Sequence, residues 1–147
     1  MPDEPRWYYE LNEVIYQGLV NNMNVPILTA AVLQQAAKES FFYNPESELL
    51  AEKRSKQELD LTFICDGSIG IGECTTASAL SSSGPNENAE LKRLREVAEL
   101  LRAKQVVFST LANSWQEITK QRATTAFNGS PARLRWLVQG DLLRPAD

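Results

Sequence analysis

From Glu58 to Thr75 the chain consists of two alternating runs joined at Asp66-Gly67. Asp-Gly between such runs is the strongest short-range hairpin signal in a sequence. A two-residue type I′ turn fixes the register by counting outward. Cys65 then faces Ser68, Ile64 faces Ile69, Thr62 faces Ile71, and Asp60 faces Glu73. One face carries Leu59, Leu61, Phe63, Cys65, Gly70, Gly72 and Cys74. The other carries Asp60, Thr62, Ile64, Ile69, Ile71, Glu73 and Thr75. Apolar residues on both faces predict central strands covered on two sides. Gly70 and Gly72 fall opposite Phe63 and Leu61 and leave room for those side chains or for a helix to approach.

Helical periodicity governs most of the remainder. Trp7 to Val20 places Trp7, Leu11, Val14, Ile15 and Leu19 on one stripe. Asn21 to Asn24 ends that helix, and Pro26 suits the first turn of a second carrying Ile27, Leu28, Ala31, Val32, Gln35 and Ala36. Phe41-Phe42-Tyr43 begins a strand that Pro45 interrupts, and Leu50 to Glu58 reads as a charged loop. Ser78 to Asn88 is a loop by composition. Glu87 to Arg102 is an amphipathic helix with Leu91, Leu94, Val97, Ala98 and Leu101 inward and Glu87 and Glu90 in its first turn, as the helix dipole favours. Val106-Val107-Phe108 is a short buried strand. Ser114-Trp115-Gln116-Glu117 reads as a capping box opening a helix to about Phe127. Arg133 to Gln139 alternates as a half-exposed edge strand. This order predicts one α/β domain over residues 1–147, a central mixed sheet between two helical layers.

Composition narrows the chemistry. With 147 residues, 43% hydrophobic and 23% charged, the chain can build one real core. The N-terminus is acidic and proline-rich, unlike a signal peptide, and no apolar run is long enough to span a bilayer, so a cytoplasmic protein is expected. Cys65 and Cys74 lie six residues apart in the predicted register, roughly 20 Å, too far to bridge. The chain contains no histidine. That removes Ser-His-Asp and Cys-His catalysis and the common zinc sites together.

What remains is carboxylate chemistry. Asp60 and Glu73 directly opposed repel each other unless a cation sits between them or one is protonated. Such a pair is costly as architecture and useful as a divalent-metal site. The structural alternatives are an Asp60–Lys56 pair and a salt bridge from Glu73 to the helix that begins near Glu87.

The element order, with Asp60 on the second strand and Glu73 on the third, resembles the PD-(D/E)XK, or restriction-endonuclease-like, superfamily. The stretch Glu58-Leu59-Asp60…Asp66-Gly67…Gly72-Glu73-Cys74 carries the resemblance. It implies a Mg²⁺ (or Mn²⁺) ion held by Asp60, Glu73 and the backbone carbonyl of Cys74, and hydrolysis of DNA phosphodiester bonds in repair or defence. The resemblance breaks at Thr75, where the superfamily places a lysine. Lys92 on the following helix is the first candidate to replace it and Lys56 the second; otherwise the fold serves as a catalytically silent binding module. Glu10 on the first helix is a candidate further acid, ahead of Glu13, and Glu58 a candidate peripheral ligand.

A net charge of −4 is unusual for a domain that grips DNA alone. The basic residues fall in local sets: Lys92, Arg95 and Arg102; Lys120 and Arg122; Arg133 and Arg135. Convergence of these on Asp60 and Glu73 would form a DNA groove. Scatter would call for a homodimer or a partner protein.

Overall fold

Asp66 and Gly67 both adopt positive φ, 49° and 76°. This is the type I′ geometry, whose twist matches the strands it joins. In the computed structural model, which describes residues 24–49 and 57–144, the turn connects β2 (Gln57–Cys65) to β3 (Ser68–Thr75). The expected register forms, with Cys65 opposite Ser68, Ile64 opposite Ile69 and Thr62 opposite Ile71. Regular pairing stops at Leu61–Gly72, one step short of Asp60 and Glu73. The predicted helix from Trp7 to Val20, with Glu10 and Glu13, lies outside the described residues, as does Lys56.

Pro45 does not interrupt the first strand. β1 (Phe41–Leu49) runs through it, with Pro45 opposite Leu61. The reason is directional. The Ser40 carbonyl accepts the Asp66 N–H, so alternate residues from Ser40 onward turn their backbone groups toward β2. Pro45 falls in the other set, on the open edge, where its missing N–H is not needed.

The sheet is completed by β4 (Gln105–Thr110) and β5 (Arg133–Leu137), giving five strands in the order β1-β2-β3-β4-β5. β4 runs parallel to both of its neighbours. Its Val106, Val107 and Phe108 are buried, as a parallel strand covered on both faces requires. On one face lie α1 (Asn24–Ala36) and α4 (Gln139–Leu142), whose Val25, Leu33 and Leu142 pack with Leu61, Phe63 and Val107. On the other lie α2 (Gly84–Leu100) and α3 (Glu117–Ala126), whose Leu91, Leu94 and Ala123 pack with Ile71, Val106 and Phe108. This is the three-layer α/β arrangement, a mixed sheet between helices. No helix among the described residues is long and apolar enough to cross a membrane.

Several local expectations are corrected. α2 starts at Gly84 because the Ser83 side chain caps it, accepting the Asn86 N–H. The capping box at Ser114 does not form, and α3 begins after Gln116 without a side-chain cap. Trp115 is instead buried, its indole N–H donating to the Leu137 carbonyl at 3.0 Å. α1 turns Val25, Ala30 and Leu33 inward and leaves Ile27 exposed. Leu59 packs with Leu91 and Leu94, not with Leu61 and Phe63, so the alternation of β2 breaks at Asp60. Ile64 and Ile69, at 43% and 38% exposure, show that the hairpin tip is covered on one face only. Cys65 and Cys74 are unbridged, as expected.

Candidate functional site

Where β2 and β3 part beyond Leu61–Gly72, side chains replace the backbone ladder. The Cys74 N–H donates to Asp60 Oδ2 at 2.8 Å. An extended residue sends its N–H and C=O to the same side of the strand. The Cys74 carbonyl therefore also faces the gap beside Asp60, while the Thr75 carbonyl turns the other way and accepts the Leu111 N–H. Glu73 projects to the α2 side, its carboxyl near enough to that of Asp60 for the two to share a proton. Asp60, Glu73, Cys74, Thr75, Glu90 and Arg93 line a cleft of about 470 Å³ between the strand ends and α2. Glu58 lines it too.

The electrostatics of this cleft are those of carboxylates brought together without compensation. Desolvation, and then the neighbouring Asp60 and Glu90 charges, push the Glu73 carboxyl well above its usual range, with Arg93 pulling weakly back. Desolvation also raises Glu90; Arg93 lowers it, and Asp60 and Glu87 raise it further. The arrangement favours either a proton shared between Asp60 and Glu73 or a cation in its place. Among the described residues, no three His, Cys, Asp or Glu side chains are grouped to hold a metal. Two carboxylates and one carbonyl nevertheless suit Mg²⁺, which keeps several waters and takes few protein ligands.

The Cys74 thiol is not a candidate ligand. Desolvation pushes it up to about 12, the Ser109 hydrogen bond lowering it in part. Behind it, the Thr29 hydroxyl donates to Ser109 Oγ at 2.7 Å, which donates to Cys74 Sγ at 3.1 Å. These contacts fasten the end of β3 to α1 and β4.

Thr75 borders the cleft, but its Oγ1 accepts the Ala77 N–H at 3.1 Å and serves the following loop. Lys92 does not line the cleft. At about 100° per residue, Lys92 points to the side of α2 away from Glu90, whereas Arg93 lies on the flank that Glu90 and Val97 share. Both are exposed, but Lys92 is outside the cleft lining, and among the described residues Arg93 is the cation that lines it. Helical phase anchored on buried Leu91 and Leu94 sets Lys92 and Arg93 at equal angles on opposite flanks, so only the way α2 lies against the strand ends selects Arg93.

Two acids read as local punctuation do more. Glu87 is fully buried, accepting from the Leu80 N–H and the Thr119 hydroxyl and pairing with Arg122 at 2.6 Å. Desolvation pushes its carboxyl up, but these donors outweigh it and hold the value below the usual range. Glu87 thus clamps the 78–83 loop, α2 and α3 rather than reaching toward Glu73. Asp66 accepts the N–H groups of Lys38, Glu39 and Ser40, joining the hairpin tip to the chain after α1.

The basic sets scatter. Arg95 binds Glu99 and the carbonyls of Ala126 and Asn128, and Arg122 is engaged by Glu87. Arg133 lies with Lys104 beside Ser68 and Gln105, at the opposite end of the sheet.

No protein-family model matches the chain, and no curated protein matches it. The crystal structure of a protein of unknown function, AF1548, superposes with a TM-score of 0.54 at 16% identity, covering 77% of this chain and 55% of that one. The crystal structure of protein VC1899 from Vibrio cholerae gives a TM-score of 0.50 at 16% identity, covering 77% of this chain and 29% of that one. The chain thus spans about half of the first and under a third of the second. At these identities the likeness shows a shared fold.

Proposed function

We propose that the chain holds a divalent cation, Mg²⁺ or Mn²⁺, through Asp60, Glu73 and the Cys74 carbonyl, and hydrolyses DNA phosphodiester bonds in the manner of a restriction-endonuclease-like enzyme. The observation that carries this reading is the pairing of Asp60 with Glu73 at strand ends that part around them. When bound there, such an ion would polarise a phosphate oxygen and lower the pKa of an attacking water. Asp60 is held for ligation by the Cys74 N–H. Glu73 gives up its shared proton when it ligates, since metal binding requires the carboxylate. Leu59, Leu94 and Val97 form the apolar wall of the cleft and limit the water around the carboxylates, which strengthens their hold on a charge.

The scattered basic residues favour a second copy or a partner protein to complete the DNA grip, acting in the cytoplasm. A second reading draws on Thr75 and on the acidic cleft lining: a silent module of the same fold that binds nucleic acid or protein without cutting.

The experiment is incubation with plasmid and branched DNA in Mg²⁺ or Mn²⁺, beside Asp60→Ala and Glu73→Ala. Cleavage lost in both variants supports the enzyme. Absence of cleavage by the parent protein with both ions supports the silent module.

A further inference from the structure

The cleft has a charge imbalance that metal binding does not remove. Among the described residues, Glu58, Asp60, Glu73 and Glu90 line it against a single basic side chain, Arg93. A divalent ion offsets two of those carboxylates, so an approaching phosphodiester, itself an anion, would still meet an acidic wall. Thr75 brings no charge, and its hydroxyl is already engaged by Ala77. Lys92 projects from the other side of α2. Arg93 sits one turn beyond Glu90, close enough for its charge to act on both Glu73 and Glu90. Among the described residues its guanidinium has no ion pair within bonding distance, unlike those of Arg95 and Arg122.

We propose that Arg93 is the substrate-binding cation of this site: its guanidinium receives the non-bridging oxygens of the phosphodiester that faces Asp60 and Glu73. The planar fork of arginine matches two phosphate oxygens at once, which an ammonium cannot do. Its place on a helix flank, opposite the strand ends, lets it close on the phosphate from the α2 side while Asp60 and Glu73 stay with the metal. The inference rests on the metal-site reading above and adds to it the group that admits an anion.

The test separates the two. Mn²⁺ affinity is measured by calorimetry, and affinity for a fluorescent DNA oligonucleotide by anisotropy in Ca²⁺, for the parent protein, Arg93→Ala, Arg93→Lys and Lys92→Ala. Arg93→Ala should weaken oligonucleotide binding about tenfold, and Arg93→Lys should recover only part of it. Mn²⁺ affinity in Arg93→Ala should hold or tighten, because a repelling cation has gone. Unchanged oligonucleotide affinity in Arg93→Ala, or an equal loss in Lys92→Ala, overturns the proposal. So does a parallel loss of Mn²⁺ affinity in Arg93→Ala, the mark of a structural role. A parent protein that takes up Mn²⁺ but no oligonucleotide overturns Arg93 and leaves the metal site standing. One that takes up no Mn²⁺ overturns the metal site and this inference with it.

Discussion

The Asp60 carboxylate accepts the backbone N–H of Cys74 at 2.8 Å, although Asp60 and Cys74 lie on strands whose regular pairing has already ended. That bond keeps the parted ends from spreading further. It also orients Asp60 beside Glu73. The position combines rigidity, from the hairpin behind it, with backbone and side-chain oxygens left for a ligand.

The repulsion within this pair has a consequence for stability. A carboxyl whose folded pKa is raised favours the fold below its unfolded pKa, about 4.3 for glutamate, and loses that favour as pH rises through the folded value. Glu73, raised chiefly by desolvation and then by Asp60, is such a group. Metal-free Glu73→Gln should therefore be more stable than the parent protein at pH 7–8, by about 1 kcal/mol or roughly 3 °C in Tm. The gain should vanish near pH 4. Thermal melts in chelator across that range check it.

Asp66 behaves with the opposite sign. Three backbone N–H donors, Glu39 first, hold its carboxyl below the usual range. The stabilisation is present above the unfolded value, about 3.9, and is lost as pH falls through the folded one. Asp66→Asn keeps the turn chemistry, since Asn-Gly suits type I′ equally. It should be less stable than the parent protein at pH 6, and the gap should close on acidification, read by denaturant melts at each pH.

Glu87 tests the clamp between α2 and α3. Removing it leaves Arg122, Thr119 and the Leu80 N–H without their shared acceptor. Glu87→Ala should lose about 3 kcal/mol, as when one partner of a buried ion pair is deleted. The Glu87→Ala, Arg122→Ala double variant should lose less than the two single losses combined, measured by a double-mutant cycle in urea.

At Gly70, an added Cβ would strike the ring of Phe63 opposite it. Gly70→Ala should cost about 2 kcal/mol through overpacking, and Phe63→Leu in the same chain should restore part of it. Urea denaturation of the single and double variants checks this.

The hairpin was legible because its determinants are local. Asp66-Gly67 sets the turn, alternation sets the faces, and Gly70 and Gly72 answer Phe63 and Leu61. The Asp60–Glu73 juxtaposition followed from counting, although the ladder ends one step earlier and Asp60 bonds to Cys74. Glu87 was opaque for the converse reason. Its partners Thr119 and Arg122 lie 32 and 35 residues away, on a helix whose packing no local pattern announces. Pro45 looked like a strand break because sequence shows that a donor is missing but not which way it would point. Arg93 was opaque too: relative to Leu91 and Leu94 it and Lys92 flank the core stripe equally, and which flank meets the strand ends depends on how α2 packs across the sheet.

The central claim is that Asp60 and Glu73 together bind a divalent cation. Calorimetric titration of the chain with Mn²⁺, beside Asp60→Asn and Glu73→Gln, measures it directly. The account predicts one site in the parent protein, Mn²⁺ affinity that tightens as pH rises because ligation needs the Glu73 carboxylate, and loss of the site in both variants. A parent protein with no Mn²⁺ site, or variants that retain its affinity, would contradict it.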